Sequence, residues 1–377
     1  MKIGIVTPGG FDRSGQQRVI PVFLGLTERL ARRHEVHVYT LEQYPQPCDY
    51  PLCGAMVHNI GGEASRGLLR AARRVRRTLR ALVTEHRRGR FDALHGLWAN
   101  ESGLSAVLAG RLLGVPTVVS VVGGELVALP EIGYGGQLAR KNRVIVAWSL
   151  RLAGAVTAAS DHMLRPLRQR RADARLVPLG VDTYRFTPPD SSPPGPPWRL
   201  LHVASLNRVK DQPTLLRAFQ KIHAAEPETR LDILGEDTLN GEIQRMARDL
   251  SLEKAVTFYG FQPSDAVAGA LRRSHLLLHS SLSEAGPWVM LEAAACGVPT
   301  VGTAVGHIRD LAPEAAVAVP IGDHESLAGA ALALLREDPV RQALGQRALA
   351  WSHAHNLDRT AAEFEALYAV SLRPAQG

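Results

Sequence analysis

Ser280-Ser281-Leu282-Ser283-Glu284-Ala285-Gly286-Pro287-Trp288-Val289-Met290-Leu291-Glu292-Ala293-Ala294-Ala295-Cys296-Gly297-Val298-Pro299-Thr300 follows the apolar run Leu276-Leu277-Leu278-His279. The run reads as a strand, and the small residues after it as a loop that carries one carboxylate. Pro287 then marks a helix start and Gly297 its stop, with Pro299 opening the next strand. Glu284 from the loop and Glu292 from the helix are thereby placed to face one site. Amides of Gly286 to Val289, with the positive end of the helix dipole behind them, suit a phosphate or a sugar hydroxyl. On spacing alone a plainer reading stands beside this one, in which Glu284 caps the helix and Glu292 lies on a solvated face.

The alternation extends outward from this segment. Strands are expected at 198–204, 230–234, 255–258, 276–279 and 299–301, with helices from His324 onward, which is the signature of βαβ units in a parallel sheet. Before them lies Phe186-Thr187-Pro188-Pro189-Asp190-Ser191-Ser192-Pro193-Pro194-Gly195-Pro196-Pro197, too rich in proline for a sheet or helix interior and assigned as a linker over 184–197. The N-terminal part repeats the pattern: a strand at 2–6, a loop with Gly9, Gly10 and Gly15, an amphipathic helix through Val19, Phe23, Leu26 and Leu30, and a strand at 34–39. Over 66–90 the residues Leu68, Ala72, Val75, Leu79 and Leu82 recur at helical spacing while arginine fills the other faces. Strands follow at 91–98 and 117–122, the second running into Gly123-Gly124-Glu125. The fold expected is α/β, with two Rossmann-like doubly wound domains facing a central cleft. Its parts are a first domain over 1–183, the linker, a second domain over 198–355, and a C-terminal helix over 356–377 packing back on the first.

Two domains agree with a length of 377 residues. Hydrophobic residues at 45% and charged residues at 21% exclude a disordered or fibrous chain. No apolar stretch spans a bilayer and the start resembles no cleaved leader, so a cytoplasmic protein is expected. Cys48, Cys53 and Cys296 form neither a metal spacing nor a disulfide framework, and no metal cluster is evident. The net charge of +8 invites a nucleic-acid reading, but arginine is spread along the chain and aromatics are only 5%, so no nucleic-acid partner is expected. The basic helix over 66–90 reads either as a solvated helix or as a peripheral contact with the anionic inner face of a membrane. The Gly15 loop is not G-x-G-x-x-G, which argues against a dinucleotide cofactor. That glycine lets backbone approach a ligand, or serves only the turn. His95, at a strand end near Trp98, is either an acceptor-side group or a packed core histidine.

The segment from Glu284 to Glu292 resembles the E-x7-E motif of the retaining family 4 glycosyltransferases of the GT-B fold. Leu291 to Pro299 is similar to that motif's helix and following strand, and the similarity extends to Val177-Pro178-Leu179-Gly180-Val181-Asp182, to 202–211 and to Gly302-Thr303-Ala304-Val305-Gly306. The resemblance implies transfer of a sugar from a nucleotide-diphosphate donor to an acceptor hydroxyl, with retention and without a metal. The nucleotide sugar is then a co-substrate and no cofactor is needed; the other partner is a sugar or lipid-linked acceptor. It implies that Glu284 contacts the transferred sugar, Glu292 holds the ribose, and Lys210 with Arg208 neutralises the diphosphate. Gly286, Pro287, Trp288, Ser205, Gly306 and Gly15 are implied on the donor side, and His95 and Glu125 on the acceptor side. Two departures stand out. The family's arginine before the lysine falls at Ser205, and its histidine before the Gly-Gly of the first domain falls at Val122. The rival readings are a nucleotide-sugar epimerase or phosphorylase of the same architecture, and a non-catalytic basic protein that binds membranes or polyanions.

Overall fold

The computed structural model describes residues 1–62, 67–191 and 193–371, and divides the chain into two compact units. Arg66 and Ser192 of the sequence reading, and 372–377, lie outside the described residues. The first unit holds residues 1–179 and 357–377, the second 180–356.

In the first unit the elements run β1 (Lys2–Thr7), α1 (Pro21–Ala31), β2 (Glu35–Thr40), β3 (Cys48–Leu52), β4 (Ala55–Asn59), α2 (Leu68–Arg88), β5 (Ala93–Leu97), α3 (Glu101–Leu113), β6 (Thr117–Val121), α4 (Arg140–Leu152), β7 (Ala155–Ala158), α5 (Asp161–Arg168) and β8 (Arg175–Leu176). The sheet order is β3-β4-β2-β1-β5-β6-β7-β8, parallel except for β3 against β4. All of β1, β5 and β6 is buried, as expected for strands covered by helices on both faces. One tight contact fixes how α3 lies on the sheet: a Cβ on Gly96 of β5 would come within 2.6 Å of Gly103 Cα on α3. Only paired glycines allow that approach. Asn100 caps α3 by accepting from the Ser102 amide at 2.9 Å.

The second unit runs β9 (Arg199–Val203), α6 (Gln212–Ala225), β10 (Arg230–Leu234), α7 (Glu242–Asp249), β11 (Val256–Gly260), α8 (Ser264–Arg272), β12 (Leu276–His279), α9 (Trp288–Ala295), β13 (Thr300–Thr303), α10 (Gly306–Leu311), β14 (Val317–Val319), α11 (His324–Arg336) and α12 (Asp338–Ala354). Its sheet is wholly parallel in the order β11-β10-β9-β12-β13-β14. The period of two is visible in the core. Leu276 and Leu278 join Leu200, Phe219 and Ile233 on one face, while Leu277 joins Leu201, Met290 and Leu291 on the other.

The last helix, α13 (Leu357–Ser371), belongs to the first unit and packs on α1. A Cβ on Gly25 of α1 would stand 2.5 Å from Leu357, and Arg29 reaches Asp358 at 3.3 Å. The expected linker is corrected. The chain leaves the first unit after Leu179, and the described residues of 184–197 belong to the second unit, where Phe186 is buried with Val181 and Leu277. Proline stops regular structure there, yet an aromatic side chain anchors the segment.

Candidate functional site

In an open parallel sheet the crevice for a ligand lies where strand order reverses, beyond the carboxyl ends. In the second unit that point is between β9 and β12. After β9 a single 3-10 turn, Arg208–Lys210, is capped by Asn207, and Asp211 at φ 49° starts α6. The loop after β12 is stitched to this turn: Ser280 Oγ donates to the Lys210 carbonyl at 2.8 Å, and the Leu282 amide donates to the Val209 carbonyl at 2.8 Å. From the other side Thr303 Oγ1 donates to the Ser281 carbonyl at 2.6 Å. The two loops are thus one braced unit, and they bring Lys210 Nζ to 2.5 Å from Glu284 Oε1. Ser281 Oγ donates to the same oxygen at 2.7 Å, and His279 Nε2 lies 3.3 Å away. Burial alone would raise the Glu284 carboxyl, but the Lys210 ammonium and the His279 contact outweigh it and hold the group far below the usual range. It is ionised.

Gly286, Pro287 and Trp288 lead into α9, which has no side-chain cap. Gly306 opens α10 at φ +47° against them; a Cβ there would meet Pro287 Cδ at 2.7 Å and Gly286 Cα at 3.1 Å. Backbone therefore crowds backbone at the start of α9. On α9, burial pushes the Glu292 carboxyl up to about 7, opposed only by the more distant charge of Arg185.

Arg208 and Ser205 are placed differently. Arg208 is exposed and reaches Glu242 of α7 at 3.4 Å. Ser205 is exposed, and its carbonyl accepts from Gln212 Nε2 at 3.1 Å. The sequence reading passed over His279 and Ser281, which hold Glu284, and the buried His202, which accepts no proton near neutrality because burial pushes it down to about 3. The signal available was a histidine closing an apolar run, which period-two reasoning treats as a strand end.

In the first unit the reversal point lies between β1 and β5, and a cavity of about 440 Å³ opens beyond the ends of β1, β2, β5 and β6. Its wall includes Trp98, held at φ +70°, a strained conformation for a bulky residue. Glu125 lines the cavity, but its oxygens accept from the backbone amides of Ala99 at 3.1 Å, Val122 at 3.3 Å and Gly123 at 2.7 Å. It braces the loop after β6, including Val122. His95 requires a correction. It is fully buried, with Nδ1 2.8 Å from Tyr368 Oη of α13 and Nε2 2.7 Å from Ser120 Oγ, and burial pushes it down to about 3. It is a neutral packing residue, out of reach of an acceptor. Gly15 sits at φ +64° in a turn closed by its amide on the Asp12 carbonyl at 2.9 Å, so a turn requirement accounts for it.

One group of metal-ligand type, Glu35, His37 and Glu85, occurs among the described residues. Lys2 Nζ already lies 2.9 Å from Glu35 and 2.7 Å from Glu85, so an ammonium supplies the cation there.

Residues 19–180 match the family described as Glycosyl transferase 4-like domain, and residues 185–351 match Glycosyl transferases group 1. Among curated proteins, the N-acetyl-alpha-D-glucosaminyl L-malate synthase of Bacillus anthracis is 26% identical over 69% of this chain and 70% of its own. The D-inositol 3-phosphate glycosyltransferase of Arthrobacter sp. (strain FB24) is 24% identical over 94% of this chain and 90% of its own. Among solved structures, the sucrose-phosphate synthase of Thermosynechococcus elongatus superposes with a TM-score of 0.83 at 19% identity, over 98% of this chain and 99% of that one.

Proposed function

The chain belongs to the family 4 glycosyltransferases of the GT-B fold, and we propose that its second unit binds a nucleotide-diphosphate sugar while its first unit holds the acceptor whose hydroxyl receives the sugar. The family matches favour transfer over the epimerase, phosphorylase and non-catalytic alternatives. The observation that carries the donor assignment is the Lys210–Glu284 pair, braced at the strand-order reversal of the second unit.

In the reaction the bond from the anomeric carbon to the diphosphate oxygen breaks, and a bond from that carbon to the acceptor oxygen forms. The diphosphate departs with the bonding electron pair, and its leaving oxygen takes up the proton that the acceptor hydroxyl loses. Negative charge grows on the leaving oxygens. Lys210 and the amides leading into α9 answer it, and they are worth most in the transition state, where that charge is largest. Arg208 joins them by exchanging its exposed partner Glu242 for a phosphate. Glu284, ionised and fixed by three side chains, accepts hydrogen bonds from the transferred sugar, and Glu292 accepts from the ribose hydroxyls. These groups meet the charge without a metal, and retention follows the family resemblance. The exposed arginines of α2 give the chain an electrostatic route to an anionic lipid surface, where a lipid-linked acceptor resides.

A thermal-shift and turnover screen against UDP-, GDP- and ADP-sugars tests the reading, with Glu292→Ala beside the wild type. A rise in Tm with one nucleotide sugar, lost in Glu292→Ala, is expected, because a ligand bound only by the native state stabilises it. Indifference to all three donors overturns it.

A further inference from the structure

The helix α4 has two unlike faces. Val146, Ser149 and Leu150 are buried, and the helix packs on α3. On the other side Arg140, Arg143, Val144, Ala147, Trp148 and Arg151 are exposed, at the three- and four-residue steps that set them on one stripe. Val144 and Trp148 lie one turn apart at 56% and 51% exposure, so two large apolar side chains stand together in water. Among the described residues the Trp148 ring stacks on no other and its indole N–H donates no hydrogen bond.

One exposed apolar residue is ordinary, so the charges around this pair decide its meaning. The helix α4 contains no aspartate or glutamate, and the side chains of Arg140, Arg143 and Arg151 make no ion pair or hydrogen bond among the described residues. At the end of α1 and on α13, by contrast, the exposed Arg32, Arg33 and Arg359 pair with Glu28, Glu365 and Glu363. Together α2, α3 and α4 carry thirteen arginines and lysines against two glutamates, Glu85 and Glu101, both held in ion pairs. A tryptophan flanked by unpaired arginines suits the boundary between headgroups and acyl chains of an anionic bilayer. A second copy of the same face would set these arginines against one another. Beside Trp148 lies a cavity of about 430 Å³ lined by Ala147, Leu150, Arg151, Arg170 and Arg171. Arg171 donates to the Leu150 and Ala153 carbonyls at 2.6 and 3.0 Å, so the negative end of α4 is capped there. Arg151 and Arg170 remain for a phosphate; the one side-chain bond of Arg170 among the described residues, to Gln137 Oε1 at 3.1 Å, is solvent-exposed.

We propose that the outer face of α4 docks on an anionic lipid surface, with Val144 and Trp148 inserted between headgroups and Arg143, Arg151 and Arg170 on their phosphates. This goes beyond the charge-only contact of α2, since it adds a second helix and an apolar component, and it stands whether or not the donor and acceptor readings do.

Tryptophan fluorescence of the full chain tests it without any donor, because of the five tryptophans Trp148 is the exposed one. The probe is a vesicle of phosphatidylcholine and phosphatidylglycerol brominated in the acyl chains. Bound wild-type protein should show quenched, blue-shifted emission, and Trp148→Phe should still bind while losing the quenching. Trp148→Ala should weaken binding several-fold with little change in Tm, whereas a merely structural tryptophan would lower Tm. Arg143→Gln and Arg151→Gln should each weaken it about fivefold at low salt, the effect of one arginine near a charged surface. Part of the binding should survive about 0.5 M salt, and Trp148→Ala should remove that part. Vesicles of phosphatidylcholine alone should bind roughly tenfold more weakly or less. Unquenched emission from bound protein overturns the proposal, as does binding by Trp148→Ala and Arg151→Gln that matches wild type. If Arg73→Gln with Arg77→Gln then removes the binding, α2 alone holds the membrane. A dimer in sedimentation velocity that Trp148→Ala dissolves also overturns it and assigns the face to a second copy.

Discussion

Lys210 and Glu284 neutralise each other at 2.5 Å, so the lysine must trade one anion for another when a diphosphate arrives. Lys210→Ala is expected to lower kcat by about 10²–10³, the loss seen when one preorganised charge-stabilising donor is removed. Arg208→Ala should cost less in kcat and nearly nothing in Tm, because its pair with Glu242 is exposed on both sides. Nucleotide-release kinetics beside thermal melts check both. Glu292 makes a second prediction through its proton. Its carboxyl is raised from 4.5 to about 7 by burial. The penalty of ionising it in the fold is therefore absent below pH 4.5, grows as pH rises, and is complete above about 7, on the order of 3 kcal/mol. Glu292→Gln should stabilise the ligand-free protein at pH 8 and leave it unchanged at pH 4. Ribose hydroxyls need the ionised form as acceptor, so wild-type nucleotide affinity should fall about tenfold per unit below pH 7. A pH-independent Kd by calorimetry between pH 5.5 and 8 would remove Glu292 from the ribose. Turn and cap residues drew attention to Glu284 and Glu292, whereas Lys210 entered only through the family resemblance, since nothing local marks a lysine in a short turn as facing a carboxylate 74 residues away. His95 was open to misreading because its partner Tyr368 is 273 residues away, and no local pattern records that contact.

At the scale of elements, α9 and α10 meet through a glycine, and the consequence is testable. Gly306→Ala forces a Cβ against Pro287 at 2.7 Å in a left-handed conformation, costing roughly 1–3 kcal/mol. It should also weaken nucleotide binding, because the shift falls on the amides that lead into α9. A melt and a donor titration that both match wild type would show that the crowding has no bearing on the site. The helix α2 buries Ala71 and Leu82 and leaves Arg70, Arg73, Arg76, Arg77 and Arg80 exposed. Charge outweighs the single exposed Leu69 as a means of holding a membrane, so sedimentation with anionic vesicles should be strong at low salt and much reduced near 0.5 M, where screening is about 4–5 Å deep. No sedimentation at low salt sinks the membrane contact. The helices α1, α2, α9 and those from His324 onward, with the strands β1, β2, β5, β6 and β9 to β13, could be read from period and caps. The β3–β4 hairpin could not, since Cys48-Asp49-Tyr50-Pro51-Leu52 lacks strict alternation and carries a proline tolerated only on an edge strand.

Over the whole chain, the largest departure from sequential order is that the first unit is finished by the last helix. The two passages between units run side by side, with Val181 bridging Asn356. From α13, Phe364 and Tyr368 are wholly buried against His95, and Thr360 Oγ1 donates to the Pro178 carbonyl at 2.8 Å. Ending the chain after Asn356 would expose that core and leave His95 without the Tyr368 hydroxyl, a loss larger than any one cavity substitution of about 2–5 kcal/mol. The truncated protein should therefore melt in two steps. The first unit should unfold well below its normal temperature, with hydrogen exchange fastest in β5 and β6, while the second keeps its nucleotide-dependent rise in Tm because every donor-side residue of 180–356 is intact. Exchange in β5 and β6 that is unchanged by the deletion would show that the first unit is complete at Leu179. Loss of the nucleotide-dependent rise would show that the donor site needs more of the chain than the second unit contains.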